Sequence, residues 1–137
     1  MSDLVLGHDK SVADWAGRQF GITIPPGCIA WGVIDKAGTL TGAIVLHSYY
    51  KGGNMEMAMV GTVMRKDILR RLARYIFGQL GCTRLTARTA RRNAHILKML
   101  PRAGFEFEGT NKRWYGPEKG DDALVFALFP DRAKRWL

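Results

Sequence analysis

Two hydrophobic rhythms alternate along this chain. Leu4, Val5 and Leu6 form a short apolar run that reads as a strand. Val12, Trp15, Ala16 and Phe20 then recur at i, i+3, i+4 and i+8, the stripe of a helix over residues 11–20. Asp9 or Ser11 supplies the cap of that helix and Gly21 its stop. Beyond the break Pro25-Pro26-Gly27, an apolar strand over residues 28–34 turns at Lys36-Ala37-Gly38 into a second over 39–49. Gly52-Gly53-Asn54 turns that into a third over 55–60, and the three predict a meander.

At Arg65 the period lengthens. Ile68, Leu69, Leu72, Ala73, Ile76, Phe77 and Leu80 trace one helix face, Lys66, Arg70 and Arg74 form a basic stripe, and Gly81 is the stop. Residues 83–89 read as a strand with Leu85 and Ala87 on one face. Asn93 is placed to cap a further helix with apolar face Ile96, Leu97, Leu100 and Ala103, ending at Gly104 with Pro101 in its last turn. Residues 105–115 and 123–129 predict a closing hairpin around Gly116-Pro117-Glu118-Lys119-Gly120. The order strand, helix, three strands, helix, strand, helix, two strands predicts a single α/β domain with a mixed sheet over residues 1–137.

Composition narrows the class. With 47% hydrophobic and 24% charged residues in 137, the chain suits one globular domain rather than a disordered one. No apolar stretch approaches the ~20 residues of a membrane span. The first residues lack the basic start and apolar core of a secretory leader, so no membrane partner and a cytoplasmic location are expected. Cys28 and Cys82 alone make neither a disulfide framework nor a metal site.

Charge adds more. Lys+Arg 21 against Asp+Glu 12 gives +9, and the excess is concentrated: 13 basic residues stand between Arg65 and Arg113, against Asp67, Glu106 and Glu108. That half expects an anionic partner such as nucleic acid, a polyphosphate or an acidic protein, with a plain solvated face as the competing reading.

The helix from Asn93 to Gly104-Phe105, followed by Glu108-Gly109, together with the order of elements resembles the GNAT superfamily of N-acetyltransferases. Within it, the likeness is greatest to the branch of ribosomal-protein N-terminal acetyltransferases and small phage-encoded relatives, over residues 39–129. The resemblance implies a mostly antiparallel mixed sheet flanked by helices and splayed between strands four and five. It implies acetyl-CoA in that splay, pantetheine along strand four at Met59 and Val60, and pyrophosphate on the amides of the following turn, at Gly61, Arg65, Lys66, Asp67 and Ile68. The turn departs from the family's Gln/Arg-x-x-Gly-x-Gly/Ala, because Ile68 stands where glycine is expected. Asn93 is implied to reach the pantetheine or fix the end of strand five. Arg88, with Arg91 and Arg92, is implied to meet the 3′-phosphate of CoA or an anionic substrate.

The implied reaction moves an acetyl group directly to a primary amine: a protein N-terminus, a lysine or a small amine. It needs a base for the amine, an N–H to polarise the thioester carbonyl, and a proton for the departing thiolate. Glu56, in an apolar strand between Met55 and Met57, is the first candidate base, with a pKa expected to rise by desolvation. A rim glutamate facing water is the competing reading. His47 on the neighbouring strand is the second candidate. Leu100 replaces the tyrosine that family enzymes often use as acid, which leaves Tyr49, Tyr50, Trp114 and Tyr115 as candidate cleft residues. Two other functions compete: a nucleic-acid-associated or base-modifying protein on the same fold, and a non-catalytic binding protein. No helix-turn-helix, zinc finger or stacking motif accompanies the basic residues. A homodimer is conceivable through the C-terminal strands or the Trp136-Leu137 end.

Overall fold

The computed structural model describes residues 3–136. In chain order the elements are β1 (Asp3–Val5), α1 (Asp9–Phe20), β2 (Ile29–Ile34), β3 (Leu40–His47) and β4 (Asn54–Gly61), then α2 (Lys66–Ala73), β5 (Arg84–Ala90) and α3 (Ala94–Arg102). They close with β6 (Glu106–Asn111), β7 (Ala123–Leu128) and α4 (Pro130–Ala133). The predicted meander and closing hairpin are both present, in one seven-stranded sheet of order β1-β2-β3-β4-β5-β7-β6. The hairpin enters that sheet second strand first, so β7 lies between β5 and β6.

Period-two alternation sorts the side chains onto two faces. One carries Leu46, Met55, Met57, Met59, Leu85 and Phe126, and α2 and α3 cover it through Ile68, Leu72, Ile76, Ile96 and Leu100. The other carries the smaller Ala30, Ala43 and Val45, with Ala58 and Val60 beside them, under Val12, Ala13 and Ala16 of α1. α1 packs on β2, β3 and β4, which leaves Arg84 and Arg88 of β5 on an open stretch of that face.

The sheet is antiparallel except at its centre, where β4 and β5 run parallel. Their ladder is short: Asn54, Met55, Glu56 and Met57 pair with Arg84, Leu85, Thr86 and Ala87. Beyond Met57 and Ala87 the pairing stops, and the two strands form a fork whose arms lead to α2 and α3. Gly61 closes one arm at φ 75°, and a Cβ there would run into the Thr41 carbonyl, so the exit from β4 toward α2 requires glycine.

Three local expectations need correction. The helix read through Leu80 is α-helical only to Ala73 and continues as a π-helical segment, Arg74–Gln79. Its wider turn lets Tyr75 pack on Trp31, ring centroids 5.5 Å apart, while Ile76 stays fully buried. His8 holds the N-cap position of α1 without a side-chain bond, and Asp9 Oδ1 instead accepts the Ala30 N–H at 3.3 Å, tying the helix to β2. Asn93 sits at the N-cap of α3, also without a side-chain capping bond. Gly21 does end α1, in the left-handed conformation at φ 74°. No helix among the described residues is long and apolar enough to cross a membrane. Leu137, part of the suggested dimer contact, lies outside the described residues.

Candidate active site

Alternation along β4 sends Met55, Met57 and Met59 to the α2 side and Glu56 to the α1 side, in register with His47 on β3 and Thr86 on β5. The flanking methionines therefore do not enclose the carboxylate, as the sequence suggested. Arg88 does. Its Nη1 donates to Glu56 Oε2 across the vertex of the fork, and His47 Nε2 lies 3.9 Å from the same oxygen. His47 Nδ1 is 2.9 Å from Ser48 Oγ, and Ser48 itself holds a left-handed φ of 55°. Side-chain exposure rises from 13% at Glu56 through 23% at Arg88 to 33% at His47, so the imidazole connects an interior carboxylate with solvent.

Arg88 is held on further sides. Its Nε donates to Asn111 Oδ1 at 3.2 Å, and its guanidinium lies 4.6 Å from the centre of the Trp114 ring. Its carbonyl accepts the Tyr115 hydroxyl at 3.2 Å. The loop carrying Trp114 and Tyr115 is fixed by Arg113, which adopts φ 54° and donates its N–H to Asp122 Oδ1 at 2.8 Å. Desolvation raises the Tyr115 phenol above its ordinary value, Arg88 draws it down and Glu56 pushes it up, so it keeps its proton at neutral pH. Beside this group runs an open groove of about 420 Å³ lined by Arg88, Glu108, Gly109, Thr110, Asn111 and Val125. Glu108 is clamped by Arg84, at 3.2 Å from Nη1 and 2.5 Å from Nη2.

The arginines read as phosphate ligands are thus engaged within the chain. Arg88 faces the fork. Arg91 pairs with Asp122 at 3.5 Å and Arg92 with Asp121, which ties the end of β5 to residues 119–122. Leu100, where relatives place a tyrosine, is fully buried in the core.

The turn after β4 has its own tenant. Arg65 stands at the N-cap of α2, and its Nη2 lies 2.5 Å and its Nε 3.0 Å from the two carboxylate oxygens of Asp67. That carboxylate also takes the backbone N–H groups of Asp67 and Ile68. The Arg65 hydrogen bond, foremost, and these amides hold its pKa below the ordinary value. A side chain of the protein occupies the place where a ligand's anion is expected at a helix start. Asp67 is 63% exposed, and Lys66 beside it is exposed as well. Met59 buries its side chain on the α2 side, so what residues 58–60 present to the fork is backbone.

The sequence singled out Glu56 and His47, which the sheet sets side by side, but not their grouping with Arg88, Asn111, Trp114 and Tyr115. A signal was present: polar Arg84, Thr86 and Arg88 alternate with apolar Leu85 and Ala87, which puts Arg88 on the same face as Glu56. Among the described residues no cluster of histidine, cysteine or carboxylate side chains is arranged to hold a metal ion.

No protein-family model matches this chain, and no curated protein does. Solved structures do. A mutant form of the spermidine/spermine N-acetyltransferase SpeG from Vibrio cholerae superposes with a TM-score of 0.73 at 12% identity, over 98% of each chain. A dodecameric spermidine N-acetyltransferase from the same organism gives 0.73 at 12% identity, over 97% of this chain and 96% of that one. A GNAT-family acetyltransferase from Bacillus anthracis gives 0.57 at 20% identity, over 74% of this chain and 66% of that one. At these identities the likeness is one of fold: the chain has the GNAT fold, a mostly antiparallel sheet with a parallel, forked pair at its centre.

Proposed function

We propose that this protein transfers an acetyl group from acetyl-CoA directly to a primary amine. The acid–base group Glu56–His47 at the vertex of the β4–β5 fork carries this reading, and the acetyltransferases among the structural neighbours support it. The residues present fit the donor. Beyond Met57, β4 has no strand partner on its β5 side, and an extended chain of amides such as pantetheine pairs there as an added strand, along Met59, Val60 and Gly61. The α2 N-terminus, with Arg65, Lys66 and the Ile68 amide, takes the pyrophosphate once Asp67 has swung out. Asn93 stands at the N-cap position of α3, on the other arm of the fork, with its side chain not engaged in capping.

In this mechanism Glu56 accepts the amine proton and His47, reaching solvent, passes it on. Arg88 is a positioning residue that fixes the carboxylate. A backbone N–H of β4 polarises the thioester oxygen. Tyr115 donates the proton that the departing thiolate needs. The acceptor is a single amine presented to the open groove, such as a protein N-terminus or a lysine side chain. A polyamine suits it less, because Glu56 and Glu108, the carboxylates beside the groove, are each already neutralised by an arginine.

Calorimetric titration with acetyl-CoA, followed by thiol release in the presence of an N-terminal peptide, a lysine peptide and spermidine, tests the reading. Micromolar donor binding and turnover on a peptide are expected. No heat up to millimolar acetyl-CoA would sink it.

A further inference from the structure

The basic excess of the second half gathers on one surface. α2 and α3 bury their apolar stripes on the same face of the sheet, which aims their opposite sides at solvent. Arg70, Arg71 and Arg74 stand on the outer side of α2 and its π-helical extension, and Lys98 and Arg102 on that of α3; all are exposed. The C-terminal segment after β7 packs against α2 and is joined to α3 by Arg135, whose guanidinium donates to the Arg102 carbonyl. It adds exposed Arg132 and Lys134. Among the described residues these elements carry two carboxylates against the cations, Asp67, engaged by Arg65, and Asp131. The surface lies on the opposite side of the sheet from Glu56 and His47, so neither the amine acceptor nor the base explains it.

We infer that this outer face of α2, α3 and the C-terminal segment docks the phosphate backbone of a nucleic-acid duplex. Three observations select that partner. Arginine predominates, whose planar fork matches phosphate oxygens. Among the described residues, none of the large exposed hydrophobic side chains, which include Tyr49, Tyr50, Trp114 and Tyr115, lies on α2 or α3, so these helices offer no stacking platform for single-stranded bases. For the same reason α2 and α3 carry no apolar wedge to enter a lipid surface. Contacts made by cations alone read charge and not sequence, and their strength falls steeply with salt.

The test is fluorescence anisotropy of the full chain on labelled duplexes of two unrelated sequences, as DNA and as RNA, between 50 and 200 mM salt. Four to five phosphates engaged at once give a slope of about −4 in log K against log salt. Affinity is expected to be equal on both sequences, and the DNA and RNA arms tell which duplex is preferred. Arg74→Ala with Lys98→Ala should flatten the slope by about 2, and Arg74→Glu with Lys98→Glu should remove binding at 200 mM. Both pairs should bind acetyl-CoA as the parent does, so this result stands apart from the proposed activity. No duplex binding at 50 mM salt, a folded charge-reversal variant that binds like the parent, or tighter binding to anionic vesicles or polyglutamate than to duplex at equal charge would overturn the inference.

Discussion

Replacing Glu56 by glutamine separates chemistry from architecture at the fork. The amide keeps the shape of the carboxylate and can still accept a hydrogen bond from Arg88, but it cannot take a proton from an amine at neutral pH. Loss of a buried ion-pair partner costs up to 3–5 kcal/mol. Here the cost is lower, about 1–2 kcal/mol, because Arg88 keeps Asn111 and Trp114 and remains partly exposed. For a domain of this size that lowers Tm by roughly 5 °C and leaves the protein folded at 25 °C, given a total stability of about 5–15 kcal/mol. Turnover, by contrast, should fall by about 10²–10⁴, or ~3–5 kcal/mol of transition-state stabilisation. Thiol release on the best peptide acceptor, read with a calorimetric Kd for acetyl-CoA and a thermal melt, separates the terms. Donor affinity should stay within about twofold, since Glu56 does not touch the proposed phosphate or pantetheine sites. The deficit should shrink as pH rises and more of the amine is already unprotonated. A turnover within twofold of the parent across pH would exclude Glu56 as the base and pass the role to His47. Collapse of the melt would show a carboxylate needed for folding instead.

Other outcomes follow from neighbouring geometry. Tyr115→Phe should lower turnover by roughly 10–100-fold. In the parent, the alkaline loss of activity should lie above pH 10, because a proton donor fails only once it is deprotonated and this phenol sits above its ordinary 10.0; an alkaline limb unchanged in the variant would refute the role. Arg65→Ala with Lys66→Ala should weaken acetyl-CoA about tenfold by calorimetry, whereas Asp67→Asn, which removes the competing anion from the same amides, should tighten it about two- to fivefold. Equal affinity in all three proteins would misplace the phosphate. Gly61→Ala should destabilise by at least ~1–2 kcal/mol from the left-handed backbone alone, seen as a lower thermal midpoint, and an unchanged melt would show that the β4 exit can relax.

Element by element, local signals served well where one residue decides the outcome. Gly21 and Gly104 ended helices, and apolar periodicity located α2 and α3 to within a few residues. The insertion of β7 between β5 and β6 was not legible, since strand order depends on contacts between segments far apart in the chain. The π-helical run was hidden because Ile76, Phe77 and Leu80 also fit the spacing of an α-helix continuing from Leu72. At the site, Glu56 stood out as a charge in an apolar strand, yet reading its sequence neighbours as its spatial neighbours was mistaken: adjacent strand residues point apart, and the contacts come from β3 and β5. Tyr115 sits in an irregular loop where no periodicity tells which way a ring turns.

The order of the sheet has a consequence for how the chain can be divided. Everything on one side of the fork comes from residues 3–61 and everything on the other from residues 84–136, with no strand of either half threaded into the other. Four residue pairs, the Glu56–Arg88 ion pair and a shared core with α2 hold the halves together. A cut in the loop ahead of α2 therefore leaves two fragments, each a contiguous run of strands, that expose to water the two halves of one shared core. A ligand that lies in the fork as an added strand touches both fragments at once, so it acts as their adhesive. Reassembly of the two fragments is thereby expected to rise with occupancy of the fork.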